Sequence, residues 1–443
     1  MNRVVVTGIG AVSPIGNSLY ESWVSVKSGI SGIMPLTRFD ASDMKQRVAG
    51  EVKGFEAEKY LSRKEINRLD LFVHYAVAAA VMAAEDAGLV ELKYEVSSKQ
   101  SNPPSPPFAE GGKGGITYSS PITYHSSLSS AGVIIGSSRG GISTLEKEIH
   151  KIYSSRLTPH ASRTSAYLMP STTISMASSY IAQKLGIKGY CLGISNACAS
   201  GTNAIGEAYR LIRSGYRYPV LCGGAEAPLC RICVEGYGSS GALSSVCDSS
   251  ASRPFDRTRD GFVLAEGACI LVLEDLKHAL KRGAKIYGEI IGYGNTTDAF
   301  HQTIPSSEGE ARAIKMAIKQ AGLNQGDINF INAHGTSTPL GDRAETEAIK
   351  LSFGEHAYRV PVTSVKSMTG HMLAASGALE AAFTLKSMNE GIIPPTINLK
   401  ERDPECDLDY VTEARKAGME YAISHSFGFG GLNAVLVFRR LDS

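Results

Sequence analysis

Val362-Thr363-Ser364-Val365-Lys366-Ser367-Met368-Thr369-Gly370-His371 carries the chain from a short apolar strand into a helix of small residues, Met372 to Asn389. The same order occurs earlier, where a strand leads to Ser195-Asn196-Ala197-Cys198 and then to the Ala/Gly-rich helix Ala199 to Arg213. Each half then closes with a strand, a Gly-rich turn (Gly223-Gly224; Gly428 to Gly431) and a further apolar strand. This self-similarity predicts a duplicated unit. Its first half spans 1–275 and its second 276–443, with the boundary near residues 275 to 285.

Outward from these two segments, short apolar runs ended by glycine read as strands covered on both faces. They are Val4 to Val6, Gly132 to Ile135, Pro219 to Cys222, Ala268 to Leu273, Ile328 to Ile331, Val360 to Thr363 and Ala434 to Phe438. Helical patterns cover Leu71 to Ala87, Glu308 to Ala321 and Asp342 to Leu351. Strands alternating with helices predict an α/β fold containing parallel sheet. Ala199-Ser200-Gly201 and Ala374-Ala375-Ser376-Gly377 suit tight helix packing, which is compatible with chemistry at the helix starts. The stretch 94–130 stands apart, with Pro103-Pro104-Ser105-Pro106-Pro107, then Gly111-Gly112-Lys113-Gly114-Gly115 and many Ser and Tyr. That composition buries too little apolar surface to offset its ordering entropy, so a surface excursion or disordered insert is expected.

At 443 residues, 43% hydrophobic and 20% charged, the chain is long enough for two or three domain-sized units with large cores. A net charge of +2 gives no electrostatic case for nucleic acid or an anionic membrane as the main partner. No run reaches the roughly 18 apolar residues of a membrane span. Eight cysteines in a chain whose first strand starts near Met1 suit reduced thiols in a cytoplasmic protein rather than a disulfide framework. Cys230 and Cys233 have metal-like spacing, but no second pair follows, so no metal site is expected.

Cys198 is the cysteine whose setting differs. It precedes a helix start, where the macrodipole and free backbone N–H groups favour a thiolate. His334, in Asn332-Ala333-His334-Gly335-Thr336-Ser337-Thr338-Pro339-Leu340-Gly341-Asp342, and His371 both follow strands and precede helices, where α/β sheets place ligands. A thiolate, two imidazoles and the Lys366 ammonium at equivalent topological positions predict one shared pocket.

At this point the sequence resembles the β-ketoacyl-acyl-carrier-protein synthases, specifically the elongating type I/II branch. The matching motifs are Asn196 to Gly201, Arg253-Pro254-Phe255-Asp256 with Arg259-Asp260-Gly261-Phe262-Val263, and the His334 segment. Val365 to His371 and Ser426-Phe427-Gly428-Phe429-Gly430-Gly431 complete the set. The resemblance spans nearly the whole chain except 94–130. It implies a thiolase-like fold, two similar halves in five alternating αβαβα layers, and normally a homodimer. Cys198 resembles the nucleophile that takes an acyl chain from carrier-protein phosphopantetheine, with an oxyanion held by the N–H groups of Cys198 and Phe429. His334 and His371 resemble the pair that stabilises the enolate left when malonyl-carrier-protein loses CO2. Lys366 matches a supporting lysine, and Asp342, Glu345 and Glu380 match a buried acidic network near it. On sequence alone Glu345 suits an exposed helix face equally well. Thr336 and Thr338 match phosphopantetheine contacts, and Phe429 with Phe427 a gating aromatic. No cofactor is implied beyond the carrier's phosphopantetheine.

Two positions depart from the family. Arg139 falls where relatives put a small or aliphatic residue along the acyl tunnel, which predicts a shortened or partly polar pocket that handles long saturated chains poorly. His425 stands where the family often has asparagine. The implied activity is 3-oxoacyl-carrier-protein synthesis for fatty acids, with a polyketide or aryl-polyene ketosynthase as the alternative. A non-catalytic chain-length factor is disfavoured because all four reactive residues are present. A thiolase shares the fold but uses a second cysteine as base near the C-terminus, and residues 423 to 433 contain none.

Overall fold

The computed structural model describes residues 1–92, 122–124, 126–155 and 164–441. Most of the expected insert, 94–130, lies outside the described residues; its far end, Ile122–Tyr124, pairs antiparallel with Val90–Leu92.

Ten strands form one mixed sheet: β1 (Val4–Val12), β2 (Gly132–Gly136), β3 (Cys191–Ile194), β4 (Val220–Glu226), β5 (Gly267–Asp275), β6 (Gly288–Thr297), β7 (Phe330–Asn332), β8 (Val362–Thr363), β9 (Tyr421–Gly428) and β10 (Leu432–Arg439). Their spatial order is β8-β7-β9-β10-β6-β1-β5-β4-β2-β3. Strand β2 runs parallel to β3 and β4, whereas β4–β5 and β5–β1 are antiparallel. Likewise β7 runs parallel to β8 and β9, whereas β9–β10 and β10–β6 are antiparallel. Each pairing among the first five strands therefore recurs among the last five. The two sets join through a short antiparallel contact, Val4–Val6 against Gly288–Ile290. The sheet is thus mixed, with its parallel character confined to the strands around β2 and β7.

Seven helices matter for the site: α1 (Leu71–Asp86), α2 (Met176–Leu185), α3 (Ser200–Arg213), α4 (Ser307–Ala321), α5 (Pro339–Phe353), α6 (Lys366–Thr369) and α7 (Ala374–Glu390). Helix α3 packs on β2 and β4 from one set and on β10 from the other, and α7 packs on β4, β5, β9 and α3. These two helices form the middle layer. Helices α1 and α2 cover the outer face of the first set, and α4 with α5 that of the second, which completes an αβαβα stack. A helix enclosed on all sides has no polar face to spare, and α7 is buried from Ala374 through Leu385. Close approach dictates its small residues: a Cβ on either Gly201 or Gly224 would lie 2.2 Å from the Ala374 carbonyl oxygen. Among the described residues no helix is long and apolar enough to cross a membrane.

Candidate active site

Cys198 sits on a tight turn between β3 and α3. The turn is held by Asn196 N–H donating to Ser200 Oγ (2.8 Å), by Ser200 Oγ–H donating to the Ala197 carbonyl (2.6 Å), and by Asn196 Nδ2 donating to Asn203 Oδ1 (3.1 Å). Ala197 is forced to φ +47°, a conformation that L residues adopt only when the surroundings impose it. The turn presents the sulfur to a cavity of about 330 Å³, lined among others by His334, His371, Phe427, Phe429, Thr336 and Thr338.

His371 lies just past α6. Its backbone N–H donates to the Val263 carbonyl (2.7 Å), so the Arg259 to Val263 motif works as a brace. Its Nε2 is 3.0 Å from Cys198 Sγ and its Nδ1 is 3.2 Å from Ser376 Oγ. The His334 ring stands 5.3 Å from the His371 ring, nearly perpendicular at 85°. Backbone N–H groups of His334 and Gly335 donate to the two carboxylate oxygens of Glu345, at 2.8 and 2.7 Å. Behind the ring, Lys366 Nζ donates to the His334 carbonyl (2.6 Å), lies 3.4 Å from His334 Nδ1 and pairs with Glu380. Cys198, His334 and His371 therefore share one cavity wall, with Lys366 buried behind it.

Burial sets the electrostatics. It holds both imidazoles well below the usual histidine range, and the Lys366 ammonium lowers them further. Each ring is therefore neutral with a single N–H. Burial also pushes the Cys198 thiol up to about 11, against the pull of Lys366 and of a hydrogen bond from the Phe429 backbone N–H. This corrects the thiolate expected from the helix start. Helix α3 begins at Ser200, two residues beyond Cys198, and desolvation outweighs the favourable dipole.

Of the three acidic residues, only Glu380 touches Lys366. Glu345 is 1% exposed, so it is not a surface charge; it clamps the His334 loop and accepts from His425 Nδ1 at 3.0 Å. Asp342 belongs to a separate cluster, accepting from Phe255 N–H (2.8 Å) and Ser337 N–H (3.0 Å) beside Arg259, and burial raises its carboxyl to about 7. Thr338 serves also as the N-cap of α5, its hydroxyl accepting from Gly341 N–H at 3.2 Å. Arg139 is exposed and outside the cavity lining; its Nε donates to the Tyr237 hydroxyl at 2.9 Å, and the Tyr237 ring forms part of the cavity wall.

Sequence reasoning passed over three residues. Glu226, at the end of β4, is fully buried and accepts from the Ser138 and Arg139 backbone N–H groups, which fixes the loop carrying Arg139. A lone carboxylate ending a buried apolar strand was the available signal. Phe262 packs edge-on against His371 with ring centroids 5.2 Å apart. Ser376 was hidden in a run of small helix residues.

Known proteins resemble the chain over most of its length. The family profile "Beta-ketoacyl synthase, N-terminal domain" matches residues 1–99 and 118–279, and "Beta-ketoacyl synthase, C-terminal domain" matches 287–400. A relative from Synechocystis sp., named 3-oxoacyl-(acyl-carrier-protein) synthase 2, is 45% identical over 99% of this chain and 98% of its own length. Among solved structures, the ishigamide ketosynthase/chain length factor superposes with a TM-score of 0.86 at 34% identity, covering all of both chains. A type II polyketide synthase acyl-carrier protein in complex with its ketosynthase bound to the hexaketide gives 0.83 at 33% identity, again over the full length of both chains.

Proposed function

Since the chain belongs to the beta-ketoacyl synthase family, we propose that it catalyses decarboxylative condensation of carrier-bound acyl and malonyl thioesters, with Cys198 as the acyl-bearing nucleophile. It is a condensing acyltransferase of the 3-oxoacyl-(acyl-carrier-protein) synthase type. The observation that carries the site assignment is the 3.0 Å approach of His371 Nε2 to Cys198 Sγ, with His334 on the same wall and Lys366 supporting it from behind.

Cys198 Sγ attacks the acyl thioester carbonyl; the oxyanion accepts from the N–H groups of Cys198 and Phe429, and the carrier thiol leaves with the cysteine proton. Malonyl thioester then loses CO2, and its bonding electrons move onto the thioester oxygen as an enolate. Neutral His334 and His371 each offer one N–H to that oxygen, and one such donor lowers the barrier by about 2.7–4 kcal/mol. The enolate carbon attacks the acyl-Cys198 carbonyl, the carbon–sulfur bond breaks, and the released Cys198 thiolate takes up a proton from solvent, replacing the one that the carrier thiol carried off in the first step. The leaving CO2 supplies the carbanion, so the chemistry calls on no resident cofactor. Thr336 and Thr338, on the cavity wall, line the path for the carrier's phosphopantetheine.

The 45% identity to a 3-oxoacyl-(acyl-carrier-protein) synthase 2 supports fatty-acid elongation as the pathway. The Arg139–Tyr237 bond at the cavity wall favours a polyketide or aryl-polyene ketosynthase as the second reading. An acyl-carrier protein is the proposed partner, as in the complex among its structural neighbours. A homodimer through β3 is part of the proposal: that edge strand leaves Cys191 and Leu192 exposed beside Tyr190, and exposed apolar edges invite pairing. Sedimentation showing a monomer at micromolar concentration would remove it. The division into halves 1–275 and 276–443 is supported by the recurring strand pairings, and a cytoplasmic location by eight free thiols. The direct test is release of CO2 from malonyl-carrier-protein by the purified chain alone. Release that appears only with a second ketosynthase subunit would make this chain a non-catalytic partner.

A further inference from the structure

Ser376, in the first turn of α7, is buried, with 2% of its surface exposed. Its Oγ accepts from the Met372 backbone N–H at 2.9 Å and lies 3.2 Å from His371 Nδ1. A hydroxyl has one proton to donate, and Nδ1 is the acceptor within reach of this one. If His371 carried its proton on Nδ1, both neighbours would donate to Ser376 Oγ and the hydroxyl proton would be left buried without a partner, an arrangement folded proteins avoid. With the proton on Nε2, every group in the relay is satisfied. We infer that Ser376 is a positioning residue that holds His371 in the Nε2–H form, so that Nε2 donates to the Cys198 sulfur and then to the substrate oxygen.

The consequence reaches the nucleophile. At 3.0 Å, an Nε2–H donor stabilises the thiolate together with the Phe429 backbone N–H, whereas the other tautomer accepts from the thiol and favours S–H. Ser376 therefore opposes the desolvation that suppresses ionisation of Cys198. Lys366 occupies the matching place behind His334, 3.4 Å from its Nδ1, so the two rings are oriented by different devices, an ammonium and a hydroxyl relay. The inference rests on the proposed function for its catalytic half but not for its effect on the thiol.

The test uses the full-length protein carrying Ser376→Ala, a change that removes one oxygen and suits a helix. The rate of iodoacetamide alkylation at Cys198 is read from the mass of its peptide, because Cys191 and Cys247 are also exposed. The charged groups facing the sulfur, Lys366, Glu226 and Arg139, are unchanged by the substitution. Alkylation near neutral pH is expected to slow about tenfold, equivalent to one pK unit at the thiol. Release of CO2 from malonyl-carrier-protein should fall by a similar factor in kcat, with KM little changed. An alkylation rate equal to wild type overturns the tautomer assignment, whatever happens to CO2 release. Slower alkylation in a protein whose wild type releases no CO2 would keep the assignment and remove the proposed function instead.

Discussion

Replacing Lys366 by methionine separates what holds the site together from what reacts in it. The ammonium donates to the His334 carbonyl at 2.6 Å, lies 3.4 Å from His334 Nδ1 and pairs with Glu380, with side-chain exposures of 1% and 2%. Methionine keeps most of the stem and its volume, so little packing is lost. The charge is the main loss, and breaking one side of a buried pair costs about 3–5 kcal/mol. Burial already raises the Glu380 carboxyl against the pull of Lys366; without that pull it becomes a neutral acid, which brings the expected cost at neutral pH to the lower end, about 3 kcal/mol. A carboxyl with a raised folded pKa costs stability only where the unfolded group is ionised. The deficit should therefore shrink as pH falls through the ordinary carboxylate value of about 4.3. Thermal melts of wild type, Lys366→Met and Lys366→Met/Glu380→Leu, each taken at neutral and acid pH, read this directly. The double variant should recover most of the stability while releasing CO2 as poorly as the single one, down about 10²–10³-fold because His334 loses its Nδ1 partner. A single variant that melts with wild type, or a double no more stable than the single, would refute the buried-pair reasoning.

Two further predictions follow from the site. Because burial holds His334 and His371 well below 6.5, and His74 near 4, the unfolded chain binds protons that the folded one refuses. The histidine contribution should thus fall as pH drops below 6.5, by about 1.4 kcal/mol per histidine per pH unit, and be fully present above it. Because the buried Asp342 and Glu380 carboxyls act in the opposite sense, it is read as the difference between wild-type and His334→Gln melts at pH 7 and 5. A difference that does not change with pH would contradict a neutral ring. Replacing Arg139 by isoleucine frees the Tyr237 hydroxyl and should raise turnover of long saturated acyl primers relative to short ones. Efficient use of long primers by the wild-type protein would discard the polar restriction.

Much of the fold was legible because duplication left the same strand, loop and helix order twice, and small residues marked where α3 and α7 meet. Strand β6 was missed for a physical reason. It carries Gly292 and Gly294, where a Cβ would lie 2.3 and 2.0 Å from the Ala317 and Ala313 carbonyl oxygens of α4, so close helix contact replaces the apolar run that signals a strand. In the site, Cys198, His334, His371 and Lys366 announced themselves through residue type and placement. The state of the thiol did not, because dipole and burial act in opposite directions and sequence reveals only the first. Glu345 and Asp342 sit on one helix and look alike in sequence. Their hydrogen bonds divide them, one bracing the His334 loop and the other the Phe255 and Ser337 turns.

Peptide-level mass spectrometry of the purified protein after incubation with an acyl-carrier protein bearing a medium-chain acyl group addresses the account most directly. An acyl mass on the Cys198 peptide, absent from Cys198→Ala, is the expected result. An acyl group found instead on the exposed Cys191 or Cys247, or loading that persists in Cys198→Ala, would mean that the sulfur facing the two imidazoles is not the one that reacts.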